Sequence, residues 1–415
     1  MLDLNALTND PAIIGWIAYI LFLTVSTAIF ALFSLGLNLQ WGLTGLINFG
    51  LVAFMTLGAY TTVLLSMYGI PLVVATLAGA LVAALLGWLI GLSTLRLRED
   101  YLAIVTIGVS ELIRLIVNNQ DLPTPNTPTP GAFGLQGYPL PLTDFNPNAL
   151  MKWIAIALLT LVVGACYWKL GKWVVKSRRG RFVEYSREKT NNSEVKPART
   201  KVKSQKSFVT RYSPLVLRII VGIIAMLLIF IPYAAGVIGL YNFTDYEKAG
   251  LMLISVLVLA VVVWRLEVLA RSPWGRVLKA IREDEEVARA LGKNVFWYKL
   301  QALMLGGAIA GVSGALYAWQ QTSVYPNDFQ PQTTFDAWIM VILGGAGNNF
   351  GTILGAVVFF AYDSATRFIL PKIVPLDDVR LSAFRIMVIG LLLMVLMIWR
   401  PQGILGKKEE LTLGK

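Results

Sequence analysis

Ten long apolar runs limit what this chain can fold into. They lie near 12–38, 49–68, 72–95, 101–118, 150–168, 215–232, 249–265, 298–320, 334–370 and 381–399. About 20 apolar residues of helix cross a hydrocarbon layer of roughly 30 Å, and most of the runs meet that length. The composition agrees: 56% of the residues are apolar and 14% charged, more apolar surface than a soluble core of this length could hide. The expected fold is all-α, a polytopic transmembrane helical bundle. The first eleven residues hold no Lys or Arg, and the run after them is too long for the apolar core of a cleaved signal peptide. It is therefore expected to remain as a span.

Cationic residues orient the bundle. None occurs before Arg96, between Arg114 and Lys152, or between Lys299 and Arg367, and stretches free of Lys and Arg mark the side that translocates. The N-terminus and the Pro-rich loop near 119–149 are therefore expected outside. "RLRED", the basic stretch after residue 168, the loop at 266–297 and the tail at 401–415 are expected in the cytoplasm. This parity holds if the run at 334–370 is a pair of short elements meeting at its glycine-rich break. Ten or eleven crossings are expected, with broken or re-entrant segments among them.

The chain thus divides into an N-terminal membrane half (1–168), a basic insert (169–213), a C-terminal membrane half (214–400) and the tail. Between Lys169 and Arg211 there are 14 Lys or Arg and three acids, which is +11 of the total net charge of +12. Low hydrophobicity with high charge disfavours folding and reads as a solvated cytoplasmic loop. The same charge could clamp anionic membrane lipids or an acidic partner. No motif of a nucleic-acid-binding module accompanies it, so no nucleic acid is expected.

Several chemistries are excluded. The chain has no histidine, which removes histidine-based triads, proton shuttles and most metal sites. The lone Cys166 lies in an apolar run, where packing and not nucleophilic chemistry is expected. "GILGKK" lacks the spacing and the hydroxyl residue of a phosphate loop. No catalytic residue, metal or cofactor of its own is expected, and any nucleotide energy must be bound by another subunit.

The loop "RSPWGRVLKAIREDEEVARALGKN" shows where such a subunit could dock. Ser272 followed by Pro273 is a helix start, with a capping hydroxyl and a proline where the missing N–H costs nothing. A second short helix is signalled by Glu283, Asp284, Glu285 and Glu286 at one end, Arg289 near the other and Gly292 beyond it. Ala288 and Ala290 give it a thin face suited to close packing.

"EEVARALG" resembles the EAA-type coupling loop of ABC importer permeases, with the acid, the alanines and the glycine falling on Glu286, Ala288, Ala290 and Gly292. Further stretches follow in the order found in the branched-chain amino-acid permease family: "GLNLQWGLTGLINFGLVAFMTLGAY", "LRLREDYLAIVTIGVSELIRLIVNN", "GGAIAGVSGALYA", "VILGGAGNNFG" and "MIWRPQGIL". The chain is similar to the LivM type of that family over most of 12–120 and 249–405. Two places depart from it: Leu51 stands where many relatives have a histidine, and "TPTPGAFG" at 127–134 stands where many have "TGGPNG". The resemblance implies one permease subunit of an importer for branched-chain or other neutral amino acids, with urea or short amides as alternatives. It also implies a second, homologous permease, two ATPase subunits that bind ATP and Mg, and an external substrate-binding protein. Coupling to the ATPases would run through Glu285, Glu286, Ala288, Ala290 and Gly292. A secondary transporter or channel is the rival class, and would have no use for a coupling loop.

The tripeptide Asn48-Phe49-Gly50 recurs as Asn349-Phe350-Gly351, each inside an apolar run. In lipid a backbone can leave the helix only where protein or a water-filled cavity satisfies its freed groups. Each break, with Gly45 and Gly347 in its turn, is expected to be a discontinuous helix or tight turn near the pathway. Asn48 and Asn349 would then serve the freed backbone or passing cargo, or only tie helix ends together. Glu111 and Arg114 at i, i+3 and Asp363 and Arg367 at i, i+4 are expected as intramembrane ion pairs. The Gly-x-x-x-Gly patterns at Gly87/Gly91, Gly307/Gly311 and Gly351/Gly355 are expected to be helix-packing surfaces.

Overall fold

The computed structural model describes residues 11–95, 99–125, 127–142, 147–168, 171, 226–243, 246, 248–373, 377–400 and 402–406. The basic insert, apart from Gly171, lies outside them. Eight described helices are long and apolar enough to cross a membrane, and two shorter apolar ones accompany them. The polytopic helical bundle expected from the sequence is the observed fold. Apolar residues line most of these helices on all sides, as suits segments packed between neighbours and lipid.

In chain order the helices are α1 (Pro11–Leu37), α2 (Val52–Met67), α3 (Leu72–Thr94) and α4 (Glu99–Asn119), then α5 (Ala149–Trp168) and α6 (Met226–Tyr241). They continue with α7 (Lys248–Arg271), α8 (Pro273–Glu283), α9 (Glu285–Ala290), α10 (Val295–Gln321), α11 (Pro331–Gly344), α12 (Asn349–Ile373) and α13 (Asp378–Trp399). The run at 334–370 is two helices, α11 and α12, joined by a turn at 345–348. The span expected at 215–232 is described from Met226 and continues to Tyr241.

The chain forms two compact units, residues 1–21 with 146–249, and residues 22–145 with 250–415. In the first, α5 and α6 pair antiparallel. Lys152 Nζ donates to the Tyr241 carbonyl at 3.0 Å, Thr160 meets Tyr233 at 3.0 Å, and Tyr167 donates to the Met226 carbonyl at 3.1 Å.

The second unit is built on α2, α3 and α10. Lipid offers no hydrophobic drive for helices to associate, so close approach of small residues carries the packing. A Cβ on Gly58 would lie 2.1 Å from the Gly311 carbonyl oxygen, and one on Gly87 3.1 Å from Met304 Cα. The Gly-x-x-x-Gly patterns are such surfaces: Gly91 faces Leu300, Gly307 faces Phe54, and Gly351 and Gly355 seat α12 against Gly344 and Met340 of α11. At one end of this unit, two-residue ladders join Asp121–Leu122 to Thr129–Pro130 and Leu135–Gln136 to Ser323–Val324. At the opposite end lie the breaks in the apolar runs, the short helices α8 and α9, and residues 402–406.

Candidate functional site

The two breaks meet. α1 runs on into a π-helical turn, Asn38–Gly42, after which Gly45 takes a φ of 80° that L side chains rarely adopt. The chain then crosses to α2 without regular structure. Its freed backbone is paired by neighbours, as the cost of an orphaned group in lipid demands: Thr106 Oγ1 accepts from Phe49 N at 3.2 Å, and Thr334 Oγ1 from Val52 N at 3.0 Å. Asn48, fully buried, accepts from Gly50 N at 2.8 Å and donates to Gln40 Oε1 at 2.8 Å. Its carbonyl accepts from Trp338 Nε1 at 3.0 Å. Gln40 in turn donates to the Leu303 carbonyl of α10 at 3.1 Å.

In the second break Asn348, one residue before the repeated tripeptide, plays the part of Asn48. Its Oδ1 accepts from Phe350 N at 3.1 Å and Gly351 N at 3.2 Å, which caps α12. Asn349 instead accepts from Asn38 Nδ2 at 3.0 Å, while Asn38 Oδ1 accepts from Gly347 N at 2.8 Å. The breaks are thus joined through buried amides. Gly42 and Gly347 touch through their backbones, since a Cβ on Gly42 would lie 2.5 Å from Gly347 N. Residues 402–406 close the other side: Ile404 N and Leu405 N donate to the Leu343 and Gly344 carbonyls, each at 3.0 Å. These are carbonyls that the end of α11 would otherwise leave unpaired. Beside the junction Trp41, Phe49, Phe335 and Trp338 form an aromatic cluster, with ring centroids 4.5 to 5.6 Å apart.

The helices expected at 272–292 are α8 and α9. Ser272 caps α8 through Gly275 N at 3.4 Å. Asp284 caps α9, accepting from Glu286 N at 2.9 Å and Val287 N at 3.0 Å. Gly292, at a φ of 75°, ends it with Lys293 N donating back to the Ala288 carbonyl at 3.2 Å, a Schellman-type stop. On α8, Leu278 packs with Leu35, Leu39, Leu43 and Ala302.

The thin face expected on α9 is partly turned inward. Ala288 is 2% exposed and packs with Ile281 and Val295 of its own chain. The residues α9 and its stop present outward include Glu286, Arg289, Ala290, Val287 at 55% exposure and Leu291 at 73%. Glu285 does not stand free either, since its carboxylate holds the buried Lys299 of α10 at 2.6 Å and Arg289 at 2.8 Å. An open cleft of about 480 Å³ lies next to this elbow, lined by Trp274, Trp297, Tyr298 and Gln301.

Both expected ion pairs form away from the junction. Arg114 binds Glu111 through two nitrogens, at 2.5 and 3.0 Å, and reaches Asn327 at 3.0 Å, which ties α4 to the 3-10 turn Pro326–Phe329. Arg367 pairs with Asp363 at 2.9 Å along α12. Among the described residues no His, Cys, Asp or Glu cluster could hold a metal ion.

The described helices thus form a polytopic bundle with two broken helices tied at one end, beside a two-helix elbow. The family model for "Branched-chain amino acid transport system / permease component" matches residues 19–209 and 191–397. The chain belongs to this family. High-affinity branched-chain amino acid transport system permease proteins LivM, from Salmonella typhimurium and Escherichia coli, are each 29% identical to this permease. The alignments cover 91% of this chain and 68% of each relative. A nucleoside ABC transporter permease protein NupC of Lactococcus lactis is 30% identical over 31% of this permease and 38% of its own length. No solved structure matches.

Proposed function

We propose that this permease is one membrane subunit of an ATP-driven importer for branched-chain or other neutral amino acids. It works with a second, homologous permease, two ATPase subunits that bind ATP and Mg, and an external substrate-binding protein. The observation that carries this reading is the α8–α9 elbow: capped at both helix starts, stopped at Gly292, and presenting Val287 and Leu291 outward. Apolar side chains so exposed on a short, well-capped helix fit a partner surface better than water. The elbow is the docking element for an ATPase subunit, and its end of the molecule faces the cytoplasm. The +11 charge of the insert supports the same orientation. Closure of the ATPases displaces the elbow, and the membrane helices respond by opening to one side or the other.

The two LivM relatives support this cargo class, and the aromatic cluster beside the breaks is compatible with it. Leu291→Asp is the test of coupling. In proteoliposomes holding the assembled transporter it should abolish cargo-stimulated ATP hydrolysis and uptake at normal membrane levels. Normal uptake with Leu291→Asp and Val287→Asp combined would remove the elbow's role. Competition of leucine, isoleucine, valine, alanine, urea and nucleosides against uptake decides the cargo, and a preference for urea or nucleosides would replace the amino-acid reading. A single cysteine at Ser193 in a Cys166→Ala background should be labelled from the cytoplasmic side alone, and labelling from outside would reverse the orientation.

A further inference from the structure

We infer that Arg282 is a positioning residue that clamps the two helix breaks together in this conformation and releases them when the elbow moves. The inference rests on the reading of α8–α9 as the ATPase-docking element.

Arg282 lies in the last turn of α8, and its Nη1 donates to the Gly42 carbonyl at 2.7 Å. Gly42 ends the π-turn of the first break. A Cβ added to Gly347, in the second break, would lie 2.8 Å from the same Gly42 oxygen and 3.0 Å from the same Arg282 nitrogen. One guanidinium therefore sits where the two breaks touch. Two helices present their C-terminal, partially negative ends here, α1 with its π-turn at Gly42 and α11 at Gly344. Neither has a Lys or Arg beside it in sequence. The cation comes instead from the elbow, about 240 residues from Gly42 along the chain.

This placement makes the clamp responsive. The α11 carbonyls of Leu343 and Gly344 are held by residues 402–406, whereas the Gly42 carbonyl is held by a residue of α8 itself. Leu278 of α8 packs in one cluster with Leu39 of the π-turn and Leu43 just after it, so displacement of α8 pulls on the break through both contacts. A guanidinium keeps its charge in any surroundings and donates in fixed directions, which suits a contact that must be made or broken as a unit.

The test uses the assembled transporter in proteoliposomes. Its readouts are cargo moved per ATP hydrolysed and the reactivity of a cysteine at Ala346 in a Cys166→Ala background. A small hydrophilic thiol reagent is applied without nucleotide and with ATP plus vanadate. A lost charge-assisted hydrogen bond shifts a two-state balance about ten-fold or more. Arg282→Gln should therefore lower cargo moved per ATP about ten-fold, and should make the nucleotide-free cysteine react at nearly the rate of the trapped state. Arg282→Lys, which keeps the charge and loses the fork, should fall between. Unchanged cargo per ATP and unchanged reactivity in Arg282→Gln would overturn the inference. If that variant fails to reach the membrane, parental coupling in Arg282→Lys would do the same. Full coupling in Arg282→Gln beside uncoupling in Leu291→Asp would remove the clamp and leave the docking reading standing; coupling in both would remove both.

Discussion

Replacing Glu285 should loosen the elbow, and the structure says by how much. The Lys299 side chain is 7% exposed and its ammonium sits 2.6 Å from Glu285 Oε2, while Glu285 is 34% exposed. Breaking a fully buried pair costs about 3–5 kcal/mol, because the surviving charge loses an opposite charge in direct contact. Here water reaches the carboxylate, so a discounted figure of about 2–3 kcal/mol applies to Glu285→Ala. Arg289, on the same carboxylate, is 68% exposed, and Arg289→Ala should cost about 0.5 kcal/mol or less. Lys299→Met removes the buried charge itself and should be nearly neutral, as should the double variant Glu285→Ala/Lys299→Met.

The assay is hydrogen–deuterium exchange of the α9 amides. This six-residue helix is held to α10 chiefly by Lys299 and by Ala288 against Val295. A loss of about 2–3 kcal/mol in local opening speeds exchange about 30- to 150-fold. Glu285→Ala should show that acceleration, and Lys299→Met in the same background should reverse it. An acceleration below about three-fold, or a double variant as fast as Glu285→Ala alone, would show that the lysine does not need Glu285.

Three further outcomes follow from the same geometry. Asn48→Leu orphans Gly50 N and Gln40 Oε1, at about 1–3 kcal/mol for each buried group; thermal unfolding in detergent should show the loss, with uptake reduced at matched membrane levels. Gly58→Ala places a methyl 2.1 Å from the Gly311 carbonyl oxygen, and the forced separation of α2 from α10 should cost about 1–3 kcal/mol in the same assay. Burial pushes the Asp328 carboxyl above its usual value against the opposing hydrogen bond from Tyr325 N. The fold therefore favours the protonated form, so its stability should fall as pH rises from the ordinary carboxylate range through the raised value. Asp328→Asn should abolish that slope in unfolding midpoints measured across acidic pH, and an unchanged slope would acquit Asp328.

What could be read from the chain and what could not divide along a physical line. The spans, the α11–α12 turn and the capped pair α8–α9 were legible because each is fixed by local terms: apolar length, a Ser-Pro start, an acidic first turn, a glycine stop. The partners of the freed groups were not, because they come from distant segments. The repeated tripeptide suggested that Asn48 and Asn349 are equivalents, yet Asn348 caps α12 and Asn349 faces Asn38. Polar residues at and just past the end of the first run, Asn38 and Gln40, were the unused signal, since a buried amide in hydrocarbon needs a partner. Ala288 looked like a partner-facing residue because small size suits any tight contact, and only the fold shows that the contact is with Ile281 and Val295.

Arg282 marks the sharpest instance of that division. In sequence it is one cation among several in a highly charged loop, while the helix ends at Gly42 and Gly344 have no cation nearby. The absence was a signal in itself: a helix terminus closed off from water needs a counter-charge or donor from somewhere. With none supplied locally, a distant segment had to reach in, and it did so from the element expected to move. A helix end whose compensation is borrowed from a mobile element has a stability that depends on that element's position. The missing neighbour of the first break therefore makes it responsive to the elbow, where a local lysine at Gly42 would have made it independent of it.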